Sequence, residues 1–233
     1  NIPKNARLKL LVESFRDWGR DCWCPSGTDN TCGKRFNFNL GLLPQGYDHK
    51  FTYSHWGYNI KPLDLQAAIG LAQLQKLNIF IEDRKRNWNY LRKGLSHLES
   101  ELYFCLPTHA NAWNENGTFS WDESGNKTDC SWFGFMIGIK PDSKINKQKF
   151  AKYLDESLVN NRMLFAGNLL RQPVVLQQEK DYPGSFRRKS DNDYSGADSI
   201  MNNSLFIGTY PGLRKVHLDY MITVIEKYIN DNS

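Results

Sequence analysis

No apolar run in this 233-residue chain approaches the roughly 18 residues needed to cross a bilayer. The N-terminal stretch also lacks the charged segment and apolar core of a secretory signal. Neither sign of charge dominates: 30 Lys and Arg stand against 25 Asp and Glu, interspersed rather than gathered into a tract, which makes nucleic acid a poor partner. The resulting net charge of +5 suits an anionic small molecule. Five cysteines are an odd number, so a fully paired disulfide framework is excluded. No internal repeat is visible. The two glycosylation-type sequons, at Asn116 and Asn126, matter only in a secretory compartment and are discounted. What is present, 40% hydrophobic and 13% aromatic residues, is enough for a core, and the expectation is a soluble, cytoplasmic, globular protein.

The first sixteen residues carry Leu8, Leu11, Val12 and Phe15 at helical spacing and begin with no preceding fold, as a cut through a larger protein would. From residue 18 to 53 the chain is rich in Gly, Pro, Asn and Cys and shows little periodicity. Unstructured loops of this length are uncommon unless functional. Pro62 then opens a long helical region, 62–98, with Leu65, Ala68, Ile69, Ala72 and Leu77 on one face and a break near Asn78. Beyond it, strands are expected at 102–106, 132–139, 162–165 and 205–209. Helices are expected around Phe150–Leu158 and from His217 to Ile229, with two polar insertions at 107–129 and 177–193. The alternation predicts an α/β fold, divided into residues 1–100 and a small C-terminal α/β lobe, 101–233.

Cys22, Cys24 and Cys32 form a C-x-C-x7-C pattern. Thiolates ligate zinc and iron-sulfur clusters alike, and the spacing is not that of a zinc finger. A 2Fe-2S cluster takes four ligands, so the loop is one short. Structural zinc completed by a residue such as His49, or three unrelated thiols, stay open on the residues alone. Cys105 and Cys130 are read as free thiols rather than ligands.

The segments Arg16-Asp17-Trp18-Gly19-Arg20-Asp21-Cys22-Trp23-Cys24 and Asp29-Asn30-Thr31-Cys32-Gly33-Lys34-Arg35-Phe36 resemble the CDP-4-keto-6-deoxy-glucose 3-dehydrases of lipopolysaccharide dideoxysugar synthesis. So do Gly46-Tyr47-Asp48-His49-Lys50, Tyr53-Ser54-His55-Trp56-Gly57-Tyr58-Asn59, Gln66-Ala67-Ala68, Leu164-Phe165-Ala166-Gly167-Asn168-Leu169 and Arg171-Gln172-Pro173. The two polar insertions lie outside the match.

The resemblance implies the C-terminal part of a pyridoxal-phosphate-dependent aminotransferase fold (aspartate aminotransferase-like, fold type I) of the DegT-like sugar branch, with residues 1–100 ending its large cofactor domain. In that family a histidine replaces the cofactor lysine, and pyridoxamine 5'-phosphate acts unanchored. Its amine condenses with the sugar's C4 ketone, the histidine removes a proton from the cofactor's C4', and the C3 hydroxyl leaves. An NADH-dependent flavin iron-sulfur reductase delivers electrons through the enzyme's own 2Fe-2S cluster. The resemblance further implies a homodimer, to which the 62–98 region is a candidate contributor, and a CDP-sugar substrate.

Carried onto this chain, the motif assigns Cys22, Cys24 and Cys32 to the cluster. The fourth ligand and the catalytic histidine fall before Asn1, so the fragment alone is expected to be inactive. Asn59, with Tyr58, is the candidate for a cofactor phosphate across the dimer interface, against a plain turn before the Pro62 helix. His55 is a candidate for cofactor or substrate, against a structural role. Phe165, Gly167, Asn168 and Arg171 are candidates for the sugar-nucleotide pocket, with Asn168 on hydroxyls and Arg171 on diphosphate, against a strand-to-loop turn. Arg16, Arg20 and Arg35 surround the cysteine loop, where they are candidates to favour a reduced, more anionic cluster or an acidic electron donor, against solvated loop charge as the default reading. The rival readings are a DegT-like nucleotide-sugar aminotransferase and a non-catalytic metal-binding fragment.

Overall fold

The computed structural model of the chain describes residues 5–25, 27–165, 167–185 and 194–233. It resolves into two compact units, the first ending at Leu74 and the second running from Gln75 to Ser233. Among the described residues, no helix is long and apolar enough to cross a membrane.

In the first unit, α1 (Ala6–Arg16) starts where the Asn5 side chain accepts the free N–H groups of Arg7 and Leu8, the standard way of satisfying an open helix end. It stops where Trp18 and Gly19 turn left-handed, with φ of 60° and 80°. The chain then runs without regular structure to a single 3-10 turn at His49–Phe51, and returns alongside its own start. Trp18 N donates to Tyr58 O (2.9 Å), Tyr58 N to Phe15 O (2.6 Å) and Ser54 N to Gly19 O (2.9 Å). Isolated bridges join Asp17 to Asn59 and Arg20 to Tyr53. This approach demands glycine on both sides: a Cβ on Gly57 would lie 2.1 Å from Gly19 N, and one on Gly19 would lie 1.8 Å from His55 O. The helix α2 (Asp64–Leu74) follows, its first turn closed by Gln66 Oε1 accepting from Leu63 N at 2.8 Å. None of its residues is buried.

The second unit opens with α3 (Leu77–Gly94), so the expected 62–98 helical region is two helices with the break at residues 75–76. The unit boundary falls at Leu74 rather than at residue 100, because α3 buries Trp88 and Leu91 in the core of the C-terminal unit. The strands are β1 (Leu102–Phe104), β2 (Ala110–Trp113), β3 (Phe119–Trp121) and β4 (Gly134–Ile139). After α4 (Lys147–Glu156) come β5 (Asn161–Met163), α5 (Pro173–Asp181), α6 (Ser195–Asn203), β6 (Ser204–Gly208) and α7 (Lys215–Asn232). The main sheet is antiparallel, in the order β1-β4-β6-β5.

Strand alternation puts Phe135, Ile137 and Ile139 of β4 and Leu205 and Ile207 of β6 into the core with Leu91, Phe150, Leu154, Ile225 and Ile229 of the helices. Trp88 stacks on Trp132 with ring centroids 4.4 Å apart. Gly138 leaves room for the Tyr103 ring, which crosses it to bring its hydroxyl within 3.0 Å of Ser204 Oγ. The expected exposed loop at 107–129 is instead largely a hairpin, β2–β3, turned at Asn114–Thr118. Its Trp113 and Phe119 pack against the core. Of the other expected insertion, residues 177–181 complete α5, and 186–193 lie outside the described residues.

Candidate cysteine-cluster and cofactor site

The cysteine loop is organised around His49, which is 2% exposed. Its Nε2 lies 2.7 Å from Asp21 Oδ2, and Asp21 Oδ1 accepts from Ser54 Oγ at 3.0 Å. The imidazole packs against Phe38 (centroids 4.0 Å) and Trp23 (5.2 Å). A second clamp is the fork-to-fork pair in which Arg35 Nε and Nη2 donate to Asp48 Oδ1 and Oδ2 at 2.8 and 2.6 Å. That pairing holds the Asp48 carboxyl down at about 2. Lys50 donates to Asp29 at 2.6 Å. Together these contacts close a structureless stretch that has almost no backbone ladder of its own.

Cys22, Cys24 and Cys32 line one small cavity with Asp29, Asn30, Arg35, His49 and Lys50. Burial pushes the Cys22 thiol up, while a hydrogen bond from Thr31 Oγ1 (3.1 Å) pulls Cys24 down. Lys34 N donates to Cys32 Sγ at 3.5 Å. Donors aimed at sulfur and cations at the rim suit thiolate ligation, so the residues fit a thiolate-held group. Among the described residues, no three His, Cys, Asp or Glu side chains already surround a single metal position. His49 shares the cavity with its Nε2 committed to Asp21, a carboxylate contact that supports the loop and is also the kind that orients a metal-ligating imidazole. The Nε atoms of Arg16 and Arg20 are buried without a hydrogen-bond partner, and both residues line a cavity of about 670 Å³ with Cys22, Cys24, His55 and Lys61.

On the returning segment, Tyr58 and Asn59 are exposed while their backbones are pinned to α1 and the turn after it. This is a rigid turn that presents two polar side chains. His55 is held differently: its Nδ1 lies 3.0 Å from Ser14 Oγ and its ring lies 4.9 Å from that of Phe15, so at least one ring nitrogen serves the fold.

The substrate-pocket candidates lie in the second unit, after β5. Phe165 is 82% exposed and lines an open apolar hollow with Phe133, Met136 and Phe206. Gly167 adopts φ +65°, with Met201 packed where a Cβ would stand. Asn168 is buried, its Oδ1 accepting from Leu170 N and its Nδ2 donating to Asp198 at 2.9 Å. Arg171 donates from Nε and Nη2 to the two Asp198 oxygens, each at 2.6 Å, and holds that carboxyl at about 2. The structure thus brings Asn168 and Arg171 together through Asp198, which their sequence spacing does not reveal. Asn168 is buried on this internal partner, whereas Arg171 binds it through Nε and Nη2 while its side chain stays 63% exposed. Asp198 gives no local signal because its partners lie 30 and 27 residues away. The Asp21–His49–Ser54 cluster is equally long-range, although His49 lies inside a matched motif.

A family model described as the DegT/DnrJ/EryC1/StrS aminotransferase family matches residues 38–226, and the chain belongs to that family. The lipopolysaccharide biosynthesis protein RfbH of Salmonella typhimurium is 46% identical over 231 residues, 99% of this chain and 47% of its own length. A dTDP-4-dehydro-2,6-dideoxy-D-glucose 3-dehydratase from Saccharopolyspora spinosa is 38% identical, over 100% of this chain and 45% of its own. The chain therefore spans about half the length of these relatives.

Among solved structures, the E. coli GDP-4-keto-6-deoxy-D-mannose-3-dehydratase with bound hydrated PLP superposes with a TM-score of 0.63 at 22% identity, covering 95% of this chain and 48% of that one. The aminotransferase TlmJ from Streptoalloteichus hindustanus gives 0.62 at 13% identity, covering 98% and 46%. The fold is accordingly that of about half of the pyridoxal-phosphate-dependent DegT-like aminotransferases.

Proposed function

We propose that the protein carrying this chain removes the C3 hydroxyl of CDP-4-keto-6-deoxy-D-glucose in 3,6-dideoxysugar synthesis for O-antigen. It does so in the cytoplasm, as a homodimer, with pyridoxamine 5'-phosphate and a 2Fe-2S cluster reduced by an NADH-dependent flavin iron-sulfur partner. The observation that carries this reading is the cysteine loop: three thiols on one cavity, two of them accepting hydrogen bonds at sulfur, at a spacing a cluster-free sugar aminotransferase has no use for. The naming of the 46% and 38% identical relatives as a lipopolysaccharide biosynthesis protein and a sugar 3-dehydratase supports it.

In this reading Cys22, Cys24 and Cys32 hold the cluster with one ligand from outside the chain, while the His49–Asp21 and Arg35–Asp48 pairs keep the sulfurs in place. Asn59 and Tyr58 bind the cofactor phosphate of the neighbouring subunit from their rigid turn. The apolar residues Leu65, Ile69, Leu71 and Leu74 of α2, all exposed here, are covered by the rest of the assembly. The cofactor, when bound, supplies the amine that meets the ketone and the conjugated ring that accepts electron density. Phe165 forms an apolar wall of the sugar-nucleotide pocket. The Asn168–Asp198–Arg171 cluster fixes the turn behind it and offers a guanidinium edge to diphosphate.

The test is incubation of the full-length protein with pyridoxamine phosphate, a flavin iron-sulfur reductase and NADH, using the CDP, dTDP and GDP forms of the 4-keto sugar. Loss of the C3 oxygen with preference for the CDP form is expected. A C4-amino sugar formed at the expense of an amino donor would identify a cluster-free aminotransferase instead.

A further inference from the structure

Lys147 opens α4, at the end of a helix where a positive charge is least welcome, and it is buried there. Burial also draws its ammonium below the ordinary lysine pKa. A charge held against both preferences calls for a partner, and it has one: Nζ donates to the Met201 carbonyl of α6 at 2.5 Å. That carbonyl belongs to the last turn of its helix, where backbone acceptors lack an intrahelical donor and a cation is favoured.

α6 needs such a hold. None of its nine residues is buried, and a helix this short has little stability of its own. β6 follows at once and fixes where the helix ends. The Lys147 contact fixes the turn before that, and with it the direction in which the rest of the helix points. Two side chains of α6 then hold the turn that follows β5. Met201 packs with its Cγ 2.8 Å from the place of a Cβ on Gly167, and its Sδ accepts from Asn168 N at 3.4 Å. Asp198, one turn earlier and so on the same face, accepts from Asn168 Nδ2 at 2.9 Å and from both Arg171 donors at 2.6 Å.

We infer that Lys147 is a positioning residue for the sugar-nucleotide pocket: through Met201 O it sets the placement of α6, and through Asp198 and Met201 that helix sets where the 167–171 turn presents Arg171 to the substrate diphosphate. The inference rests on the reading of this turn as part of that pocket. Without the ammonium, Asn168 and Arg171 leave Asp198 part of the time. Substrate binding then weakens while turnover of bound substrate changes little.

The experiment compares full-length unmutated protein with Lys147→Met, the shorter uncharged Lys147→Gln, and Lys147→Arg, which keeps a cationic donor. Hydrogen exchange is followed by mass spectrometry, and KM and kcat are measured on the CDP 4-keto sugar with pyridoxamine phosphate, reductase and NADH. Exchange at Asn168 and Leu170, both donors in this cluster, should rise roughly tenfold to a hundredfold in K147M and K147Q, as expected for one lost charge-assisted hydrogen bond. Exchange in β4 and β6 should stay as it was. KM should rise about tenfold with kcat within about twofold, and K147R should restore most of both changes. Unchanged exchange at Asn168 and Leu170, an equal rise in β4 and β6, or a fall in kcat at constant KM would overturn the inference while leaving the assigned function standing. No loss of the C3 oxygen by the unmutated protein would overturn the assigned function and this inference with it. Either uncharged variant suffices for the comparison, so the failure of one to fold leaves the other to decide.

Discussion

Replacing Gly57 with alanine is expected to open the grip between α1 and the 53–60 segment, and the size of the effect follows from the contacts. The added methyl would sit 2.1 Å from Gly19 N and 2.5 Å from Trp18 C. Both are backbone atoms, so no side chain can swing aside, and the two segments have to separate. The hydrogen bonds lost are Trp18 N to Tyr58 O, Tyr58 N to Phe15 O and Ser54 N to Gly19 O. At about 0.5–1.5 kcal/mol each, they amount to roughly 2–4 kcal/mol of local stability. With every 1.4 kcal/mol worth tenfold, amide exchange at Trp18 and Tyr58 accelerates by roughly thirty- to several-hundred-fold.

The internal control is Gly70→Ala. It makes the same chemical change inside α2, where the added Cβ meets nothing within 4 Å and alanine is the better helix former by about 1 kcal/mol. Native-state hydrogen exchange read by mass spectrometry on the folded protein measures both. Equal exchange at Trp18 and Tyr58 in the two variants would refute the claim that close backbone approach, rather than side-chain packing, fixes the cysteine loop and the Tyr58–Asn59 turn.

Trp88→Ala removes a side chain that is 1% exposed and stacked on Trp132. It should cost about 3–5 kcal/mol, read as a lower urea midpoint for the second unit. The Asp48 carboxyl, depressed to about 2 by Arg35, contributes stability that is present above the ordinary carboxylate range and lost as pH falls toward that value. Proteolysis of the cysteine loop should therefore speed up at acid pH, and Asp48→Asn should make it fast at every pH and flatten that dependence.

Much of the secondary structure was readable because apolar periodicity and caps agree locally. The α7 pattern, the β4 run of aromatic and β-branched residues, and Pro62 ahead of α2 all lie where the elements form. The hairpin at 110–121 was missed because its polar and tryptophan-rich composition reads as loop. The Asn116-Gly117 pair between Trp113 and Phe119 was the available turn signal. The division at Leu74 was hidden as well, since periodicity shows that α3 has an apolar face but not which core it fills.

At the site, the cysteine spacing and the Tyr58–Asn59 turn were legible as motifs. What holds them was not, because His49–Asp21, Arg35–Asp48 and Arg171–Asp198 join residues 28, 13 and 27 positions apart. Asn168 and Arg171 were expected to face substrate, and only the folded chain brings them both to one carboxylate.

The central claim is that Cys22, Cys24 and Cys32 belong to an iron-sulfur cluster. Iron and acid-labile sulfide content, with the visible spectrum, of anaerobically purified full-length protein and its Cys22→Ser variant test it most directly. About two irons and two sulfides per chain, lost in the variant, is the predicted result. Zinc, or no metal in either protein, would contradict it.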